Sequence, residues 1–216
     1  LHLASTKRQQ PGEDVPSYLY AARPDLTEEE LARELFLLPA FLDFTGSLIC
    51  NAVVEVITNP RLRSALSTGA IEEVVNRVAL FKPALANVSL RYAMTDVRLG
   101  RYTIAAGDAV LVSLAAANAD PRIATAIDDD TVHSTRAHLS WGAGPHSCPS
   151  RQLATQITTV AVRRLLERFA SLQLVLPPDQ LPWRPSPFMR ALRSLPVRYE
   201  VRAGFTAPPR PPPALA

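Results

Sequence analysis

Residues 141–149, Trp141-Gly142-Ala143-Gly144-Pro145-His146-Ser147-Cys148-Pro149, form a turn-rich segment that ends at a cysteine. Its two glycines permit tight or positive-φ turns, so the loop can pass close to a flat ligand. Ser150 opens a segment of helical periodicity that runs to about residue 169, with Leu153, Ile157, Val160, Ala161 and Leu165 as its apolar face. Cys148 therefore sits next to a helix N-terminus, where backbone N–H groups and the helix dipole favour a thiolate. Thiolates bind soft or borderline metals, but His146 and Cys148 have no second pair at zinc-ligand spacing. A single thiolate beneath a macrocycle is the better chemical reading. On residue type alone the plain alternative, a buried cysteine acting as a small hydrophobe, is the commoner case. Cys50, the other cysteine, lies in an apolar helical segment and reads as core.

The elements that must position this loop can be followed along the chain. Residues 1–24 read as a helix end followed by a loop through Pro11-Gly12 and Pro24. Thr27 with Glu30 forms a capping box, and apolar residues then recur at helical spacing until Asn59-Pro60. That predicts one helix of about 30 residues, well beyond the usual length. Pro39 and Asp43 interrupt its apolar run. A shorter helix fits 69–80, and residues 96–104 alternate around Gly100-Arg101 like a hairpin, with a further strand at 109–113. Residues 119–139 are polar and loop-like, strands are expected at 172–176 and 196–201, and residues 206–216 are a Pro-rich tail. The class is mainly α with small β-sheets (α+β).

Composition narrows the function. The chain has 216 residues, 47% of them hydrophobic and 20% charged, which is enough for a sizeable core and excludes wholesale disorder. The net charge of +3 is spread too evenly to argue for nucleic acid. Two cysteines make no disulfide framework, so a reducing, cytoplasmic setting is expected. The longest apolar run, residues 35–42, is interrupted by Pro39 and stopped by Asp43, so no membrane span is expected. Residues 1–17 lack the apolar centre of a signal peptide.

The order Trp141-Gly142-x-Gly144-x-His146-x-Cys148, followed by Leu153-Ala154, resembles the heme-binding signature of the cytochrome P450 family. That pattern is Phe-Gly-x-Gly-x-His/Arg-x-Cys-x-Gly-x-x-Leu-Ala, so Trp141 and Ser150 are its two departures here. Further segments fall in the family's order. Residues 26–60 resemble the long central helix, and Arg91 with Asp96-Val97-x-Leu99-Gly100 resembles the strand whose Arg holds a heme propionate. Asn118-Ala119-Asp120-Pro121 and the strand of 192–197 also match. The flavour is that of soluble bacterial, actinobacterial-like members. The resemblance covers nearly the whole chain but only the family's C-terminal half, implying residues 1–205 as the C-terminal part of one domain whose N-terminal half is a missing partner.

By that resemblance Cys148 is the axial ligand of heme b (iron protoporphyrin IX), and His146 and Arg91 reach its propionates. Trp141 packs under the thiolate, while Gly142 and Gly144 let backbone amides approach the sulfur. His138 stands evenly between a heme-side contact and a structural hydrogen bond. Arg151, Arg163, Arg164 and Arg168 read first as a solvated helix face and second as a docking face for an acidic ferredoxin. Two departures stand out. The family's Glu-x-x-Arg ion pair has Asn76 where Glu73 needs an Arg, with Arg77 one place late, so a substitute for the ion pair is expected. In the long helix a gapless count back from Pro60 puts Asp43 at the acid position, Phe44 at that of the threonine, and Phe41 at a usual glycine. Asp43 and Thr45 are thus the catalytic candidates. A deficient acid–alcohol relay is weighed against a helical bulge that would bring Thr45 into register.

The resemblance implies a heme-thiolate monooxygenase-type oxidoreductase acting on a small-molecule substrate of specialised metabolism. Electrons would come from a ferredoxin and ferredoxin reductase. The alternative is a cytochrome P450-like auxiliary protein without monooxygenase activity that assists a partner enzyme.

Overall fold

A computed structural model of the chain describes residues 1–36, 38–124 and 134–204. It divides into two compact units, Leu1–Phe44 and Thr45–Ala216. The expected tail at 206–216 lies outside the described residues, as does part of the polar 119–139 segment.

The first unit holds α1 (His2–Gln9), α2 (Val15–Ala22) and α3 (Glu28–Phe36). The helix α2 falls where a loop was expected. Asp14 caps it by accepting from the Ser17 N–H at 3.0 Å, and Pro16 occupies its first turn, where a missing donor costs nothing. The capping box is reciprocal: Glu30 accepts from the Thr27 N–H at 2.8 Å, and the Thr27 hydroxyl accepts from the Glu30 N–H at 3.2 Å. Leu31, fully buried, is the anchor of α3.

The expected long helix is described as α3 and α4 (Leu38–Thr58), with residue 37 outside the described residues. Taken together, Glu28–Thr58 is long and apolar enough by length and composition to cross a membrane, which corrects the reading from uninterrupted runs. A lone Asp43 or Glu55 ends a run but barely lowers a window average. Of the most apolar window 43% is buried, and the core helix of a soluble protein meets the same criterion.

In the second unit Asn59 ends α4 and caps α5 (Pro60–Ser67), its carboxamide oxygen accepting from Arg61 N–H at 3.0 Å. There follow α6 (Ile71–Phe81), β1 (Asn87–Tyr92), the expected hairpin of β2 (Val97–Leu99) and β3 (Tyr102–Ile104), β4 (Ala109–Ser113), α7 (Leu114–Asn118) and α8 (Pro121–Ala124). The chain closes with α9 (Arg151–Arg168), β5 (Phe169–Leu174) and β6 (Val197–Val201). Among the described residues the strands pair antiparallel into three two-stranded sheets: β1 with β4, β2 with β3, β5 with β6. The core joins Leu48, Ala52 and Val56 of α4, Leu62 of α5, Val74 and Val78 of α6, Val162 of α9 and Leu172 of β5.

The helix α9 corrects the expected apolar face. Leu153, Ile157 and Val160 are 57%, 43% and 51% exposed, whereas Thr158, Thr159 and Val162 are buried. The helix has two apolar sides, and the one holding Val162, Leu165 and Leu166 faces the core. Thr158 can be inside because its hydroxyl donates to the Ala154 carbonyl at 2.8 Å.

Candidate functional site

Five of the expected residues share one loop, between the 3₁₀ turn Leu139–Trp141 and α9. The Cys148 N–H donates to the Trp141 carbonyl at 2.7 Å, closing the loop on itself. Trp141 in turn packs against the core cluster, so the loop's neck is fixed to the body of the second unit. Cys148 is half-buried and His146 exposed. Ser150 holds the N-cap position, and its side chain makes no capping hydrogen bond.

Gly142 and Gly144 adopt φ of 71° and 60°. A Cβ at Gly142 would lie 2.6 Å from the His146 carbonyl oxygen, a distance no real Cβ tolerates. A Cβ at Gly144 would meet nothing within 4 Å. The loop is thus packed tightly on itself at Gly142 and has free space at Gly144. Among the described residues no group of three or more His, Cys, Asp or Glu is placed to hold a bare metal ion. Burial pushes the Cys50 thiol up, which disfavours a thiolate there.

Arg91 lies on β1, its Cα opposite Val110 of β4, just after an irregularity in the register between Val88 and Arg91. It is exposed. Such a bulge re-aims the side chains beside it. Asp43 and Thr45 both lie on α4 and are half-buried, Asp43 in the first unit and Thr45 in the second. The helix α4 is α-helical throughout Leu38–Thr58.

Residues that sequence reasoning gave no role hold the approach to the loop. Asn118 is 2% exposed. Its amide donates to the Leu80 carbonyl at 3.1 Å and the Ser140 hydroxyl at 2.7 Å, while its oxygen accepts from Leu139 N–H at 2.8 Å. The Ser140 hydroxyl donates onward to the Ala79 carbonyl at 2.6 Å. The expected substitute for the ion pair is present: Arg136 pairs with Glu73, reaching it from the segment before the loop. Asn76 turns instead to that same segment, donating to the Ser134 hydroxyl at 2.7 Å and the Thr135 carbonyl at 3.3 Å. The His138 Nε2 lies 3.3 Å from the Asn76 carboxamide oxygen, which makes His138 a structural hydrogen-bonding residue. His138 is 5% exposed. Burial, reinforced by the Arg151 and Arg136 cations, lowers its pKa to about 4, so it is neutral at pH 7.

No family model matches the chain. Cytochrome P450 107B1 of Saccharopolyspora erythraea is 38% identical over 207 residues, 91% of this chain and 50% of its own length. Nocardicin C N-oxygenase of Nocardia uniformis subsp. tsuyamanensis is 35% identical over 91% of this chain and 51% of its own. Among solved structures, cytochrome P450 CYP109Q5 from Chondromyces apiculatus superposes with a TM-score of 0.81 at 33% identity, covering 93% of this chain and 53% of that one. The chain spans about half the length of the curated relatives it matches.

Proposed function

Since the chain belongs by sequence and fold to the cytochrome P450 family, we propose that residues 1–205 are the C-terminal part of a heme-thiolate oxidoreductase domain. Its complete form is a monooxygenase acting on a small organic molecule in the cytoplasm, with electrons from a ferredoxin and its reductase. The observation that carries this reading is the Cys148 loop, a thiol whose residue is tied by its own N–H to Trp141 beside a glycine whose added Cβ would meet the His146 carbonyl. Relatives named for the oxygenation of nocardicin C and the hydroxylation of 6-deoxyerythronolide B support a substrate from specialised metabolism.

In this reading Cys148 would ligate heme b, and His146 and Arg91 would reach its propionates as hydrogen-bond donors. Trp141 packs beneath the sulfur, while Gly142 and Gly144 keep the backbone thin enough to approach it. Heme bound there would supply the redox chemistry of oxygen insertion. Asp43 and Thr45 are the groups of α4 able to hold or pass protons, and Phe44 beside them carries no hydroxyl. That absent hydroxyl favours a second reading, an auxiliary protein that keeps the fold and assists a partner enzyme. Substrate-dependent product formation by the complete protein separates the two.

The test of the primary reading is the absorption spectrum of the complete protein, reduced and exposed to carbon monoxide. Cys148→Ala should abolish the red-shifted band of thiolate ligation and Cys50→Ala should leave it. Persistence of that band in the Cys148 variant would overturn the assignment.

A further inference from the structure

Position 76 faces the segment that delivers the chain into the cysteine loop. Asn76 is 5% exposed on α6, and both halves of its carboxamide are engaged with residues 134–138. The amide donates to the Ser134 hydroxyl and the Thr135 carbonyl, so the oxygen is the face presented to His138. A carboxamide oxygen only accepts, so Nε2 of His138 carries the proton. The neutral ring then leaves Nδ1 as a bare lone pair, and that atom is buried with no hydrogen-bond partner. A protonated His138 would bury a second N–H there without an acceptor, beside the cations Arg136 and Arg151.

From His138 the chain runs towards Cys148 through residues that are each held in place. Leu139 and Ser140 are tied to Asn118 and Ala79, Trp141 packs on the core, and the Trp141 carbonyl receives the Cys148 N–H. The Glu73–Arg136 pair closes the same segment from outside, where Arg136 is 54% exposed and the pair is screened by water. The interior constraint is therefore the neutral one.

Resting on the heme-thiolate reading of the Cys148 loop, we propose that Asn76 and His138 are a neutral positioning pair that sets the entry of that loop and, through it, the geometry of the sulfur. The pair replaces a cation on α6 with a two-faced amide. Both act through residues 139–141.

The test uses the complete, heme-loaded protein and compares His138→Leu with His138→Gln. Gln can still offer an N–H to the Asn76 oxygen, and Leu cannot. His138→Leu should lose heme about 10- to 100-fold more readily, the range for supporting residues around a metal ligand. It should also move part of the reduced carbon monoxide band from the thiolate position to the blue. His138→Gln should keep both properties. If His138→Leu keeps wild-type retention and band, or His138→Gln loses them, the pair does not set the loop. Should the Leu variant fail to fold, the Gln variant alone decides by the same criterion. If the wild-type protein itself shows no red-shifted band, it is the heme-thiolate reading that fails.

Discussion

Gly142 and Gly144 share a left-handed backbone two residues apart, yet their surroundings separate them sharply. Gly142→Ala adds a clash with the His146 carbonyl to the cost of positive φ and should destabilise by about 3 kcal/mol. Gly144→Ala bears only the conformational cost, about 1 kcal/mol. Chemical denaturation of the two variants checks the ordering. On α4, Phe44 and Thr45 are successive residues of a regular helix and point about 100° apart. Phe44→Thr should improve the coupling of reducing equivalents to product and Thr45→Ala should change it little; a collapse of coupling in Thr45→Ala would make Thr45 the working hydroxyl. The cysteine loop was legible because its chemistry is written in consecutive residues. The pairing of Asn76 with His138 was not, since they lie 62 residues apart and an amide gives no hint of its partner.

At the scale of elements, the segment before the loop is held by two kinds of contact that ought to behave differently. Asn118 is buried with three hydrogen bonds, and Asn118→Ala should cost about 2–4 kcal/mol by leaving the Leu139 N–H and the Leu80 carbonyl without it. Arg136→Ala removes a largely exposed ion-pair partner and should cost less than about 1 kcal/mol. Urea midpoints of the two variants distinguish them. The low pKa of His138 adds a pH dependence with a definite sign. Its folded value of about 4 lies below the ordinary 6.5, so the unfolded chain takes up the proton first. Stability is full above pH 6.5 and falls as pH drops towards 4, by at most about 3 kcal/mol. His138→Gln should flatten that part of the stability–pH curve. The periodic helices, the capping box and the β2–β3 hairpin were legible from local pattern. The helix α2 was not, because Pro11, Gly12 and Pro16 crowd into a few residues and read as loop, although Pro16 is placed where a helix accepts it.

For the molecule as a whole, α9 carries an apolar side on each face, and periodicity alone cannot say which one is turned inward. Val162 and its neighbours hold the core, while Leu153, Ile157 and Val160 stand in a line, about one helical turn apart, in contact with solvent. That line has a consequence beyond packing. Inside a cell, chaperones and proteases sort chains by the apolar surface they leave uncovered, so such a stripe marks its bearer as unfinished for as long as it stays bare. The steady-state abundance of the polypeptide thereby becomes a gauge of how much of that surface is sheltered, readable by immunoblot before any chemistry is assayed.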